Sequence, residues 1–264
     1  MKQYWGIASI TLKSQLVYRF DVILGVLLSF IRVILAFILW GALFQQKPQI
    51  GGFTFPAMVT YYILVSFFQR LDTTDAMVWQ IAEEIKEGQF SKYLVKPIRP
   101  LWYFSVSCYS KTVFIFGINL MATTLAALLF RKYFILHFDI TVWLSGIFIN
   151  LLGLNFLILL NYFFAILSFK FIEIGFFYMI KNTMVEFLTG AMIPLTLLPS
   201  WLQSGLQFLP FYYIHYLPTM LLLGRETAKI PWALSVLLIW NGLMLYIVSL
   251  LYGNLRKEYE GVGA

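Results

Sequence analysis

Long apolar runs alternate with short polar breaks along this chain, and one polar stretch stands out by its length. Runs from about Val22 to Phe44, Phe55 to Leu71, Trp102 or Phe104 to Phe130, Ile140 to Phe169, Ile172 to Ile193 and Trp232 to Tyr252 each approach or exceed the ~20 residues a helix needs to cross a bilayer. They predict an all-α chain with six spans. Residues 1–20 scatter Trp5, Ile7, Ile10 and Leu12 among Lys2, Lys13 and Arg19, as in a helix lying in the headgroup layer. The loop from Gln45 to Phe55 carries Pro48, Gly51 and Gly52, and the fourth run is long enough to tilt or to kink at Gly153. After the fifth run come Pro194, Pro199, Pro210 and Pro218, with Trp201, Phe208, Phe211, Tyr212 and Tyr213 between them. That spacing predicts broken, re-entrant half-helices, tolerable at membrane depth only where protein or water covers the backbone.

The long polar stretch, Ala76 to Pro100, lies between the second and third runs. Met77, Ile81 and Ile85 recur every four residues with Val78 and Ala82 beside them, while Glu83, Glu84, Lys86 and Glu87 fill the rest of the turn. An amphipathic helix follows, capped by the Asp75 side chain and ended by a left-handed Gly88. Pro97 and Pro100 keep a helix from resuming until past Pro100, so a stiff turn is expected there. The apolar face is expected to seat in a partner's groove, with Glu83, Glu84 and Glu87 available to the partner's basic residues. The competing arrangement, a helix resting on lipid headgroups, fits poorly because an acid-rich face repels an anionic leaflet.

Composition agrees with membrane residence: 61% hydrophobic and 12% charged residues, with a mean hydropathy of +0.81. The 264 residues allow about six spans and their loops but no separate soluble domain, so a single domain over 1–264 is expected. The net charge of +7 does not point to nucleic acid, because the basic residues flank apolar runs instead of forming a patch. With both termini inside the cell, Lys2, Lys13, Arg19, Lys86, Lys92, Lys96, Arg99, Lys170, Arg256 and Lys257 face inward, against Lys47, Arg131, Lys132, Arg225 and Lys229 outward. That excess sets both termini, and the polar stretch, in the cytoplasm. Trp40, Trp102, Trp143 and Trp232 are expected at the membrane interfaces. The N-terminus lacks the order of a cleavable signal and is expected on the mature protein.

Ionisable residues inside spans are costly and mark function or packing. Arg32 falls near the middle of the first span, and Lys181 and Glu186 lie in the fifth, roughly 140° apart around the helix and so not paired with each other. Glu186 is expected either to pair with Arg32 across a helix interface or to face a wet cavity between subunits, and the three residues either fix packing or contact cargo. Asn150, Asn155 and Asn161 share no stripe and read as interhelical hydrogen bonds, and Glu173 as interfacial. Cys108 reads as a packing residue, and His137 and His215 as isolated residues of outer segments, so neither a metal site nor a nucleophile–base set is expected.

The run Glu83-Glu84-Ile85-x-x-Gly88, followed by Tyr93-Leu94-Val95-Lys96-Pro97-Ile98, and later Leu209-Pro210-Phe211, Tyr216-x-Pro218 and Gly224, resembles the membrane subunits of type-2 ABC exporters. More narrowly it is similar to bacterial permeases encoded in pairs beside an ATPase, and the similarity spans essentially the whole chain. The resemblance implies a cytoplasmic coupling helix formed by Met77, Ile81, Glu83, Glu84, Ile85, Glu87 and Gly88, with Lys96 and Pro97 behind it. It also implies an export path between two permease subunits in the plasma membrane, driven by two ATPase subunits. ATP and magnesium belong on those partners, because this chain has no Gly-x-x-x-x-Gly-Lys-Ser/Thr loop and no catalytic residue is implied on it. The 26 Phe and 16 Tyr point to a hydrophobic or amphipathic cargo, a drug, lipid or peptide. The rival is a membrane-embedded enzyme or assembly scaffold, which would need polar residues clustered at one depth.

Overall fold

The computed structural model describes residues 2–17, 19–95, 98–171 and 173–257. Among them the chain is α-helical with no strand, apart from an isolated bridge between Ile50 and Phe53 that closes the Gly51–Gly52 turn. The helices are α1 Lys2–Val17, α2 Arg19–Phe44, α3 Phe55–Arg70, α4 Asp75–Lys86, α5 Ser91–Val95, α6 Pro100–Leu129, α7 Ile140–Ile166, α8 Gly175–Leu188, α9 Ser200–Leu206, α10 Tyr216–Leu222 and α11 Ile230–Leu255.

Four segments are long and apolar enough to cross a membrane: Val22–Phe44, Pro100–Leu129, Ile140–Phe169 and Thr227–Leu255. Within an 18-residue apolar window of each, 56% of residues are buried in Ile140–Phe169 against 17 to 22% in the other three, so α7 is the axis and the others turn broad apolar faces outward. Such faces are stable only against lipid or protein. The expected second and fifth spans are shorter. α3 has 16 residues and α8 has 14, about 24 and 21 Å at 1.5 Å per residue, against a hydrocarbon core of about 30 Å.

Local chemistry explains both ends. After α3, the Asp72 carboxylate accepts hydrogen bonds from the Thr74 amide (2.9 Å) and hydroxyl (2.6 Å), a tight turn that redirects the chain into α4. α8 stops at Leu188, not Ile193, because Gly190 takes a left-handed conformation (φ 75°) and the Ala191 and Met192 amides turn back onto the Glu186 carbonyl. The Tyr61 hydroxyl then holds the Gly190 carbonyl at 2.7 Å. Beyond lie the expected half-helices α9 and α10, and α10 is buried along its whole length. Glu226, among the described residues the non-glycine one with positive φ (58°), ties this segment to α11 by accepting from Tyr212 (2.7 Å) and Tyr216 (3.1 Å).

Four details differ from the sequence expectations. Asp75 does not cap α4: Thr74 holds the cap position without a side-chain bond, and the Asp75 carboxylate is drawn sideways to accept from the Tyr178 hydroxyl. The stretch after Gly88 (φ 75°) forms the short helix α5 because Phe90 and Tyr93 pack into the core, and Pro100 begins α6 where its missing amide costs nothing. Trp40 is buried beside Tyr62 and Phe44, although Trp102 and Trp232 are half exposed. α7 runs unbroken through Gly153. That glycine makes room instead: a Cβ there would lie 3.0 Å from the Ile214 Cα, and Asn150 donates to the Ile214 carbonyl at 2.9 Å.

Gly153→Ala should therefore lower stability by about 1–3 kcal/mol through overpacking, read as a lower unfolding temperature in detergent. Gly117→Ala, where a Cβ meets nothing within 4 Å, should leave it unchanged or raise it.

Candidate functional site

Three helices each turn one polar stripe toward a common point. α2 offers Gly25, Ser29 and Arg32, α3 offers Ser66, Gln69 and Arg70, and α8 offers Asn182, Glu186 and the adjoining Thr189. Those spacings of three, four and seven residues put each set on one helical face. Asp72, Asp75 and His215 complete a cavity of about 290 Å³. The Arg70 guanidinium lies where a side chain on residue 25 would sit, so Gly25 leaves it room against α2. A second cleft of about 380 Å³ shares Asp75, Asn182 and Glu186 and leads out past Trp79.

Arg32 and Glu186, the expected partners, do not touch. Gln69 stands between them, its carbonyl oxygen accepting from Arg32 and its amide donating to Glu186 at 3.1 Å. Lys181 is elsewhere, buried, its ammonium bonded to Asn161 at 2.5 Å and to Asn182, with the Tyr178 ring 4.0 Å away. Asn161 donates onward to the Thr74 hydroxyl, which is bonded to Asp72. A chain of hydrogen bonds thus links α8, α7 and the turn that starts α4. Desolvation raises the Asp72 carboxyl above the usual carboxylate range, Asp75 adds to this, and the Thr74 donors and Lys181 oppose it. Ser66 Oγ, Arg70 Nε and His215 Nδ1 are buried without a hydrogen-bond partner. A polar cavity lined by such groups favours water or a polar ligand. His215, expected in an outer segment, is thus a wall of the cavity, and the asparagines do bond between helices, Asn155 to Asn241 at 2.8 Å among them.

On α4 the faces are the reverse of those expected for docking. Met77, Ile81 and Ile85 are 1, 0 and 6% exposed, packed with Cys108, Phe156 and Ile166 of the chain's own core. Amphipathic spacing shows which stripe is buried but not against what, and α7 takes it. Glu84 also turns inward, accepting from Lys92 (2.8 Å) and Gln80 (3.0 Å), and burial, with the Glu84 carboxylate adding to it, raises the Tyr93 phenol. Glu83, Lys86 and Glu87 remain exposed, Gly88 ends the helix, and Lys96 and Pro97 lie outside the described residues. The exposed Lys86–Glu173 pair, at 3.4 Å, adds little to stability. Gln69, Asp72, Asp75, Tyr178 and Asn182 were not anticipated in the site. The sequence signal for them was the closely spaced Arg70, Asp72 and Asp75 at the end of an apolar run.

These features define an all-α polytopic membrane protein with a charged cavity set among its helices. The chain belongs to the ABC-2 family transporter proteins, whose family model matches residues 30–263, and it is therefore a membrane, or permease, component of an ABC transporter. No curated protein and no solved structure matches it significantly.

Asn161→Leu should strand the Lys181 ammonium and lower stability by about 1–3 kcal/mol. Adding Lys181→Met should recover most of that loss, because both polar groups then disappear together. Unfolding temperatures of the two single variants and the double variant in detergent check this.

Proposed function

We propose that this chain is one half of a permease pair forming an export path for a hydrophobic or amphipathic cargo, coupled to two ATPase subunits that hold ATP and magnesium. The observation that carries the reading is a charged seam open on one flank: Arg32 and Glu186 are both exposed at the cavity mouth. Charges facing hydrocarbon are expensive, so a second permease, identical or similar, covers that flank and the cavity becomes part of a shared path. In this reading α3 and α8 complete six spans of a single transmembrane domain over 1–264, with both termini in the cytoplasm.

The coupling element is α4, with its faces reassigned. Glu83, Lys86 and Glu87 meet the ATPase, while Met77, Ile81 and Ile85 grip α7, so a push on the outer face moves the bundle axis directly. The Asp75–Tyr178 and Asp72–Thr74–Asn161–Lys181 connections carry the same displacement to the cavity wall.

Replacing Glu83 and Glu87 by Lys together should weaken co-purification with the ATPase by on the order of tenfold, with the unfolding temperature unchanged. Intact association and ATP-driven efflux in that variant would sink the coupling role. A benzophenone amino acid in place of Thr183, which lines the cleft on the open flank, should capture a second permease chain on illumination. The same probe at Leu238, exposed on α11, should capture none, and the reverse result would assign the seam to lipid.

A further inference from the structure

A different cavity, of about 660 Å³, opens where α5, the N-terminus of α6 and the C-terminal turn of α11 diverge over α7. Among the described residues its lining holds two cations, Arg99 and Arg256, and no acid. Neither arginine has a carboxylate within ion-pair distance among the described residues. Tyr162 also lines this cavity: the residue is 1% exposed, and its buried hydroxyl oxygen has no hydrogen-bond partner. Arg256 lies over the Tyr252 ring, 5.7 Å from its centroid, so a buried unpaired hydroxyl and two guanidinium groups with no carboxylate partner among the described residues line one cavity, a setting suited to an anionic acceptor.

The cavity does not end at the arginines. It shares Leu101, Trp102 and Leu245 with a further groove of about 340 Å³ running between α6 and α11 along α7. The polar groups farther along that groove are already satisfied, Asn155 by Tyr109 (2.9 Å) and by Asn241 (2.8 Å). A charged mouth thus continues into a slot whose remaining demands are apolar. Free phosphate would use only the mouth, whereas an amphiphile fills both parts.

We infer that this groove holds an anionic phospholipid, its phosphodiester between Arg99 and Arg256 with Tyr162 donating to it, and one acyl chain along α6 and α11. The site is separate from the cavity between α2, α3 and α8 and depends on no choice of cargo or of membrane orientation.

The test uses the full-length chain in detergent, with phosphatidylglycerol, phosphatidylcholine or inorganic phosphate added, followed by native mass spectrometry and thermal unfolding. Phosphatidylglycerol should be retained preferentially and should raise the unfolding temperature. The Arg99→Gln/Arg256→Gln variant should reduce retention by on the order of tenfold, and Tyr162→Phe should reduce it less. Leu245→Trp fills the slot while sparing both guanidinium groups, and it too should release the lipid, which keeps the test open if the arginine variant fails to fold. Retention equal to wild type in either variant overturns the proposal. So does displacement of the lipid by millimolar phosphate, which would make this a free-phosphate site.

Discussion

The buried Lys181 ammonium constrains everything around it. A cation inside an apolar bundle is tolerated only when each N–H finds an acceptor, since desolvation alone would expel it or neutralise it. Here the acceptors are the amides of Asn161 and Asn182, backed by the face of Tyr178. Asn161 belongs to the α7 axis, whereas Asn182 and Tyr178 belong to α8, the helix that carries Lys181 itself. The register of α8 against α7 is therefore fixed by a polar requirement more directional than apolar packing. Because Asn161 also bonds Thr74 and Tyr178 also bonds Asp75, the same requirement fixes where α4 begins.

That arrangement changes what α4 can do. A surface helix that kept its apolar stripe for a partner would be loosely attached until the partner arrived. With Met77, Ile81 and Ile85 sunk into the core beside Phe156 and Ile166, α4 is rigidly seated on α7 before any partner binds. Its outer face is left to charge, which governs orientation and speed of association more than affinity. Gly88 and α5 then lead the chain, through Tyr93 packed on Tyr103 and Phe104, to the start of α6. One polar connection between α3 and α6 thus touches the ends of both helices and the side of the axis.

Much of this was legible in the sequence. Val22–Phe44 and Ile140–Phe169 emerge with the bounds that their apolar runs predict, because length and hydropathy alone define a helix in lipid. The half-helices after α8 were legible from their prolines, and α4 from its four-residue spacing. What could not be read was direction across space. Periodicity shows that Met77, Ile81 and Ile85 share a face, but whether that face meets another chain or α7 depends on tertiary contacts. Arg32 and Glu186 are of opposite charge, yet the side chain that joins them is a glutamine, the penultimate residue of another helix. A neutral bridge leaves no charge pattern to find.

The short helices α3 and α8 follow from the same polar demands. Each ends where a carboxylate or a left-handed glycine captures backbone groups, at Asp72 and at Gly190, so neither reaches the length a free-standing span needs. Short spans survive where neighbours and water satisfy what lipid cannot. The residues that gather around these two ends, Arg70, Asp72, Glu186, Thr189 and His215, are the polar wall of the cavity. Shortening a helix and opening a polar cavity are thus a single structural act. On the proposed reading, the cost of leaving that wall open on one side is what a second permease subunit removes.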